Sequence, residues 1–148
     1  MWQVNISSSK EYIGWILVRP MNFFSDSPEY DNLELGWRFT QSSWGKGYAS
    51  EAALHLKNAL AKNGDLQSFS AIAVENNLGS IAVMKKIGMS YVKSYLHKDP
   101  LFESQVVYYQ IRVKWDQRKV YTHKSVLTIL AGIYKSTTQQ LGVIFASV

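Results

Sequence analysis

The sequence predicts an α+β domain, a mixed α/β sandwich with the element order β-β-β-α-β-α-β-β. Three observations carry that prediction. Runs of β-branched and aromatic residues bounded by turn formers recur along residues 2–113. Two segments between them have helical apolar spacing, and each is opened by a turn containing glycine or asparagine. The 148 residues, 47% of them apolar, are enough for one domain with its own core.

Trp2–Ser8 and Tyr12–Arg19 read as paired strands, with Val4, Ile6, Ile13, Trp15, Ile16 and Val18 supplying the β content and Ser7–Glu11 the turn. Pro20 is expected to end the second strand, and Ser25–Asp31 to form a surface loop. Asn32–Thr40 alternates, with Leu33, Leu35, Trp37 and Phe39 on one face and Glu34, Gly36 and Arg38 on the other, which predicts a strand with two unlike faces. Gln41–Gly47 leads into a helix over Tyr48–Lys62, where Ala49, Ala52, Ala53, Leu56 and Leu60 share a stripe and Asn63-Gly64 supplies the stop. Ser68–Val74 is a short apolar strand, Leu78–Ile87 a second helix closed by Gly88, and Tyr91–Lys98 and Gln105–Val113 two further strands. The domain is expected to end near residue 114. Residues 115–148 form a basic and apolar tail, with a helix expected where Val126, Leu127, Leu130, Ile133 and Tyr134 share one face.

The absence of cysteine removes disulfide scaffolds, thiolate zinc sites, iron–sulfur clusters and cysteine nucleophiles, and His55, His97 and His123 have no metal-ligand spacing. No metal is expected. The amino terminus lacks a basic segment followed by an apolar run, and no apolar stretch approaches the roughly 20 residues that span a bilayer. The expected location is therefore cytoplasmic. The net charge of +5 is not spread evenly: residues 1–104 hold ten Lys/Arg and ten Asp/Glu, whereas residues 105–148 hold six Lys/Arg against Asp116. A basic tail specifies no partner by itself, and nucleic acid is not expected to be one.

The strand, glycine turn and helix of residues 32–62 carry the most chemical information. Glycines at 45 and 47 let main chain approach a ligand, and free N–H groups at a helix start attract anions, so the turn suits a pyrophosphate. A Gly-x-Gly before a helix is also an ordinary tight turn. The spacing matches neither a P-loop nor a dinucleotide fingerprint. Asn77-Leu78-Gly79-Ser80 opens the second helix, where Asn77 reads equally well as an N-cap. Two strand-to-helix junctions side by side at one end of a sheet make one crevice.

Glu34–Phe39, Trp44–Ala52 and Asn77–Met89, in this order and spacing, resemble the GNAT acetyltransferases, and within them the branch containing the ribosomal-protein N-terminal acetyltransferases RimJ and RimL. The resemblance covers about residues 2–113 and implies a GNAT-like, mostly antiparallel central sheet with a V-shaped splay. It implies acetyl-CoA as cofactor, CoA as product, and direct transfer to a primary amine, either a protein N-terminus or a small amine, with no acyl-enzyme. Gly45, Lys46, Gly47, Tyr48 and Ala49 would cradle the pyrophosphate through their amides. Main-chain groups of Phe39 and Thr40 would pair with the pantetheine arm, and Asn77 would hold the cofactor. Glu34 is the candidate base, directly or through water, and Ser80 the candidate partner of the leaving thiolate, because Met84 stands where many relatives have tyrosine. Arg38 and Trp37 are candidate substrate contacts, although Trp15, Trp37 and Trp44 also read as core or cleft wall.

The family's initial strand and two helices have no counterpart in the sequence. Their absence would expose an edge strand and favour a homodimer, with the tail as a possible cover. Two other readings share these residues: a CoA-binding module without an acceptor site, and a ribosome or RNA binder acting through the basic tail.

Overall fold

The computed structural model describes residues 1–62 and 65–114, together with the backbone of 142–146. The described strands are β1 (Trp2–Ile6), β2 (Tyr12–Met21), β3 (Glu29–Phe39), β4 (Ser68–Val74), β5 (Ser90–Lys98), β6 (Glu103–Arg112) and β7 (Gly142–Ala146), and the helices are α1 (Tyr48–Leu60) and α2 (Leu78–Lys86). The strands form one sheet in the order β5-β6-β4-β3-β2-β1-β7. Pairing is antiparallel except between β3 and β4 and between β1 and β7.

The two faces of the sheet differ as the β3 alternation requires. Leu33 and Leu35 enter the core with Phe69 of β4, Ala52, Ala53 and Leu56 of α1, Met84 of α2, and Ile87, which caps α2. Each large aliphatic or aromatic side chain buried here contributes roughly 1.5–3 kcal/mol. The opposite face is polar although buried: the Ser70 hydroxyl donates to Asn32 Oδ1 at 2.7 Å and lies 2.6 Å from the Tyr108 hydroxyl, while the Gln110 amide donates to that hydroxyl at 2.9 Å. Burial of these groups is tolerated because they bond one another.

Several strand ends differ by one or two residues from the expectation, and two differences change the reading of β2 and β3. Pro20 does not end β2, which continues to Met21, and β3 begins three residues early, at Glu29, inside the expected loop. The Thr40 N–H donates to the Ile13 carbonyl at 2.9 Å, which makes Phe39↔Gly14 a rung without mutual hydrogen bonds. Counting back by twos, Leu33↔Pro20 is another such rung. The missing Pro20 N–H therefore faces away from β3, beyond the point where β1 pairing ends at Trp2↔Ile16.

The helix expected around residues 126–134 and the Asn63-Gly64 stop lie outside the described residues. Within the tail, residues 142–146 are a strand rather than helix. β7 runs parallel to β1 from Trp2↔Gly142 to Ile6↔Ala146, so the edge expected to be exposed carries a neighbour from the same chain. Among the described residues the edge strands are β7 and, at the other side, β5, with Tyr91, Val92 and Leu96 exposed. No helix among the described residues is long and apolar enough to cross a membrane.

Candidate active site

The site grows from a parallel pair that separates. β3 and β4 are paired only at Asn32↔Ser68, Leu33↔Phe69 and Glu34↔Ser70, after which each runs on, β3 to Phe39 and β4 to Val74. That is the V-shaped splay. By the rung parity set at Thr40, the main-chain groups of Trp37 and Phe39 face the gap rather than β2. The Phe39 carbonyl accepts the Trp44 indole N–H at 3.0 Å. Thr40 differs, because its N–H bonds Ile13 and its carbonyl accepts from the N–H and hydroxyl of Ser43 at 3.0 and 2.7 Å.

Both helices open at this end of the sheet. The turn before α1 holds Gly45 at φ 76° and Gly47 at φ 87°, left-handed backbone that side chains disfavour. A Cβ built at either position meets nothing within 4 Å, so the space above the turn is open. Gly47 is the N-cap of α1 without a side-chain bond, and the first helical bond runs from the Glu51 N–H to the Gly47 carbonyl. The amides of Tyr48, Ala49 and Ser50 therefore have no helical acceptor.

At α2 the Asn77 side chain accepts the Ser80 N–H at 3.0 Å, and the Ser80 hydroxyl accepts the Trp37 indole N–H at 3.3 Å. The other end of α2 is closed by Gly88 at φ 89°, with the Gly88 N–H on the Lys85 carbonyl and the Met89 N–H on the Met84 carbonyl. The Lys57 ammonium also donates to the Ile87 carbonyl at 2.8 Å, and burial lowers its pKa.

A cavity of about 620 Å³ joins these parts. Trp37, Arg38, Phe39, Gly45, Gly47, Tyr48, Ala49, Asn77 and Ser80 line it, so it brings together most of the residues named from the sequence. Thr40, Lys46 and Glu34 are not in its wall. Glu34 lies at the last β3–β4 rung with its side chain on the polar face, where Arg19 Nε and one terminal nitrogen bond its two oxygens at 2.7 and 3.2 Å. Met84 is wholly buried in the core.

The polar face holds residues that sequence reasoning missed. Arg19 also reaches to 4.0 Å from Asp99, which sits 3.0 Å from His97 Nε2. Its guanidinium lies over the Phe24 ring at 5.1 Å. Burial alone would raise the Asp99 carboxyl, but the neighbouring His97 imidazole and hydrogen bonds from the Leu101 and Phe102 amides outweigh it and hold the pKa low. Burial, followed by the nearby Glu34, Tyr108, Asp99 and Glu29, raises Tyr95. The available signals were a lone arginine in an apolar strand and a His-x-Asp at a hairpin turn.

Comparison with known proteins adds to this geometry. The family described as "Acetyltransferase (GNAT) domain" matches residues 1–90. The chain is 28% identical over 112 residues to the FsC-acetyl coenzyme A-N(2)-transacetylase of Aspergillus fumigatus, covering 71% of this chain and 48% of that protein. The structure is similar to that of a GNAT-family acetyltransferase from Bacillus anthracis, with TM-score 0.61 and 25% identity over 73% of this chain and 63% of the other. It shares its fold with RimL, a ribosomal L7/L12 alpha-N-protein acetyltransferase solved in complex with coenzyme A, at TM-score 0.56 and 18% identity over 70% and 57% of the two chains. The chain spans about half the length of the curated relatives it matches. With the family match over more than half of its residues and a splayed sheet between two helix mouths, this chain belongs to the GNAT acetyltransferase family.

Proposed function

We propose that the chain binds acetyl-CoA in the splayed cavity and transfers the acetyl group directly to a primary amine. The observation that carries this reading is the row of amides at Tyr48, Ala49 and Ser50 that have no acceptor among the described residues, beside a left-handed glycine turn where a built Cβ meets nothing within 4 Å. Those donors and the dipole of α1 suit a pyrophosphate. The gap-facing main chain of Trp37 and Phe39 suits the amides of an extended arm, whereas the Thr40 N–H is turned to Ile13 and its carbonyl to Ser43. Lys46, exposed on the turn, contributes charge rather than cavity wall.

Bound acetyl-CoA supplies the thioester carbonyl that the amine attacks. Ser80 is placed to serve the departing sulfur, because its oxygen accepts from Trp37 and its own proton is left to donate. Asn77 holds the α2 mouth in place. Arg38 is exposed at the cavity rim, where it is available to an acceptor carboxylate. Within the family, the three motifs support a place beside the RimJ and RimL branch.

Calorimetry with CoA, then thiol release from acetyl-CoA over spermidine, kanamycin and a peptide with a free N-terminus, tests the reading. Saturable binding and turnover with at least one amine are expected. No binding at millimolar CoA contradicts it, and binding without turnover selects the module that lacks an acceptor site.

A further inference from the structure

We propose that His97, oriented by Asp99 at the β5–β6 turn, takes the proton of the acceptor amine, while Glu34 serves with Arg19 as the anchor that positions this pair. The inference rests on the acetyl-transfer reading above.

Glu34 is poorly placed to act as a free base. Both of its oxygens are held by one guanidinium at 2.7 and 3.2 Å, and its side chain is 8% exposed. A bidentate arginine pair takes a lone pair on each oxygen and fixes the plane of the carboxylate. Arg19 carries the connection onward, with its second contact, at 4.0 Å, to Asp99 Oδ2. Asp99 is fixed from the other side, since its Oδ1 accepts the Leu101 and Phe102 amides at 2.8 and 3.0 Å. The chain Glu34–Arg19–Asp99–His97 thus spans from the last rung of the splay to the β5–β6 hairpin, on the face opposite α1 and α2.

That face is the one an amine would use. A cofactor held by the α1 mouth enters the splay from the helix side, which leaves the opposite face for the nucleophile. On it, His97 is an imidazole in search of a partner. Its Nε2 is buried and 3.0 Å from Asp99 Oδ2, yet its N–H points off that line and makes no hydrogen bond. Such contacts tighten when a substrate arrives. Nδ1 has no hydrogen bond among the described residues, so Asp99 at Nε2 leaves Nδ1 as the basic nitrogen. The ring is held by Phe102 at 4.7 Å and by the edge of Tyr95 at 6.0 Å.

The charged and titratable groups around it are Arg19 from β2, Glu29 and Glu34 from β3, Lys93 and Tyr95 from β5, Tyr108 from β6, and Asp99. Three carboxylates face one guanidinium and one ammonium, a balance that favours a cationic amine over an anionic one.

The step balances as follows. An acceptor ammonium gives one proton to His97 Nδ1, which passes it to solvent. The freed nitrogen lone pair forms the C–N bond, the C–S bond breaks, and the second nitrogen proton leaves with the sulfur as the thiol.

The test uses the full chain, with the fastest amine of the panel as acceptor. His97→Ala and His97→Gln are expected to lose about a hundredfold in kcat/KM, with CoA affinity within twofold of the parent. The limb on which rate rises with pH disappears, and added imidazole partly restores the alanine variant. Glu34→Gln keeps that limb at a reduced rate, as a positioning residue should. Folded His97 variants with the parental rate and pH profile overturn the proposal alone. A parent protein that binds no CoA, or turns over no amine, overturns the acetyl-transfer reading and this proposal with it. Loss of the limb in Glu34→Gln but not in His97→Gln returns the proton to Glu34.

Discussion

The mouths of α1 and α2 open into the same cavity and are built in opposite ways. At α2 the Leu78 N–H bonds the Asn76 carbonyl and the Ser80 N–H bonds the Asn77 side chain, which leaves the Gly79 amide as the one without an acceptor among the described residues. At α1 the cap is a glycine, and the amides of Tyr48, Ala49 and Ser50 have no acceptor among the described residues. A polar N-cap stabilises a helix by only a few tenths of a kcal/mol relative to the glycine that caps α1, so α1 forgoes a side-chain acceptor at little cost. The contrast separates a helix that completes itself from one whose donors await an anion, and it locates the phosphate end of the cavity from hydrogen bonding alone.

The comparison breaks most visibly at Gly47. Gly47→Glu places a carboxylate among the open amides and should weaken CoA binding well over tenfold, more than about 1.4 kcal/mol. Gly47→Ala carries the same backbone cost at φ 87° without the charge, so the difference between the two variants in calorimetry isolates the anion site. A folded Gly47→Glu protein with the parental Kd removes it.

At the α2 mouth the effect should fall on chemistry rather than binding. Ser80→Ala removes the hydrogen-bond donor to the departing sulfur and should lower kcat about tenfold, with nearly unchanged acetyl-CoA affinity. Loss of affinity with unchanged kcat would make Ser80 a binding residue.

Asn77→Ala makes the α2 mouth resemble that of α1. The Ser80 amide loses its acceptor, and urea unfolding should show about 1 kcal/mol less stability. An unchanged midpoint would mean that solvent satisfies this amide as well as Asn77 does.

What the sequence disclosed follows from the range of each interaction. Gly45, Gly47, Gly88 and the Asn77 cap are local, set by a backbone angle or by a bond between residues three apart, and so they were legible with both helices. The splay needed the pairing register, since β3 and β4 share three rungs and then part. Glu34 was named as a candidate without its partner, because Arg19 is 15 residues away and meets it only through the β2–β3 rung. Pro20 read as a stop because proline lacks a donor, and only the parity of its rung shows that none is needed there. β7 was missed for the same reason, its ladder being formed with the opposite end of the chain.

The smallest effect belongs to the polar face and marks it off from both helix mouths. Asp99 has a lowered pKa in the folded state, so its contribution to stability is present above the unfolded carboxylate value near 3.9 and is lost as pH falls through the lower folded value. The stability gap between the parent and Asp99→Asn should be open at pH 6 and should narrow below about pH 4. A gap independent of pH would show that the Asp99 charge is not what ties the hairpin.

The asymmetry of the two mouths is tested most directly by amide shifts. Titrating the ¹⁵N-labelled full chain with CoA should produce saturable changes concentrated at the amides of Gly45 through Ser50, with smaller ones at Gly79 and Ser80. Saturable shifts concentrated at Leu78 and Ser80, with Tyr48, Ala49 and Ser50 unmoved, or no saturable shift at all, would contradict the assignment of the α1 mouth as the phosphate site.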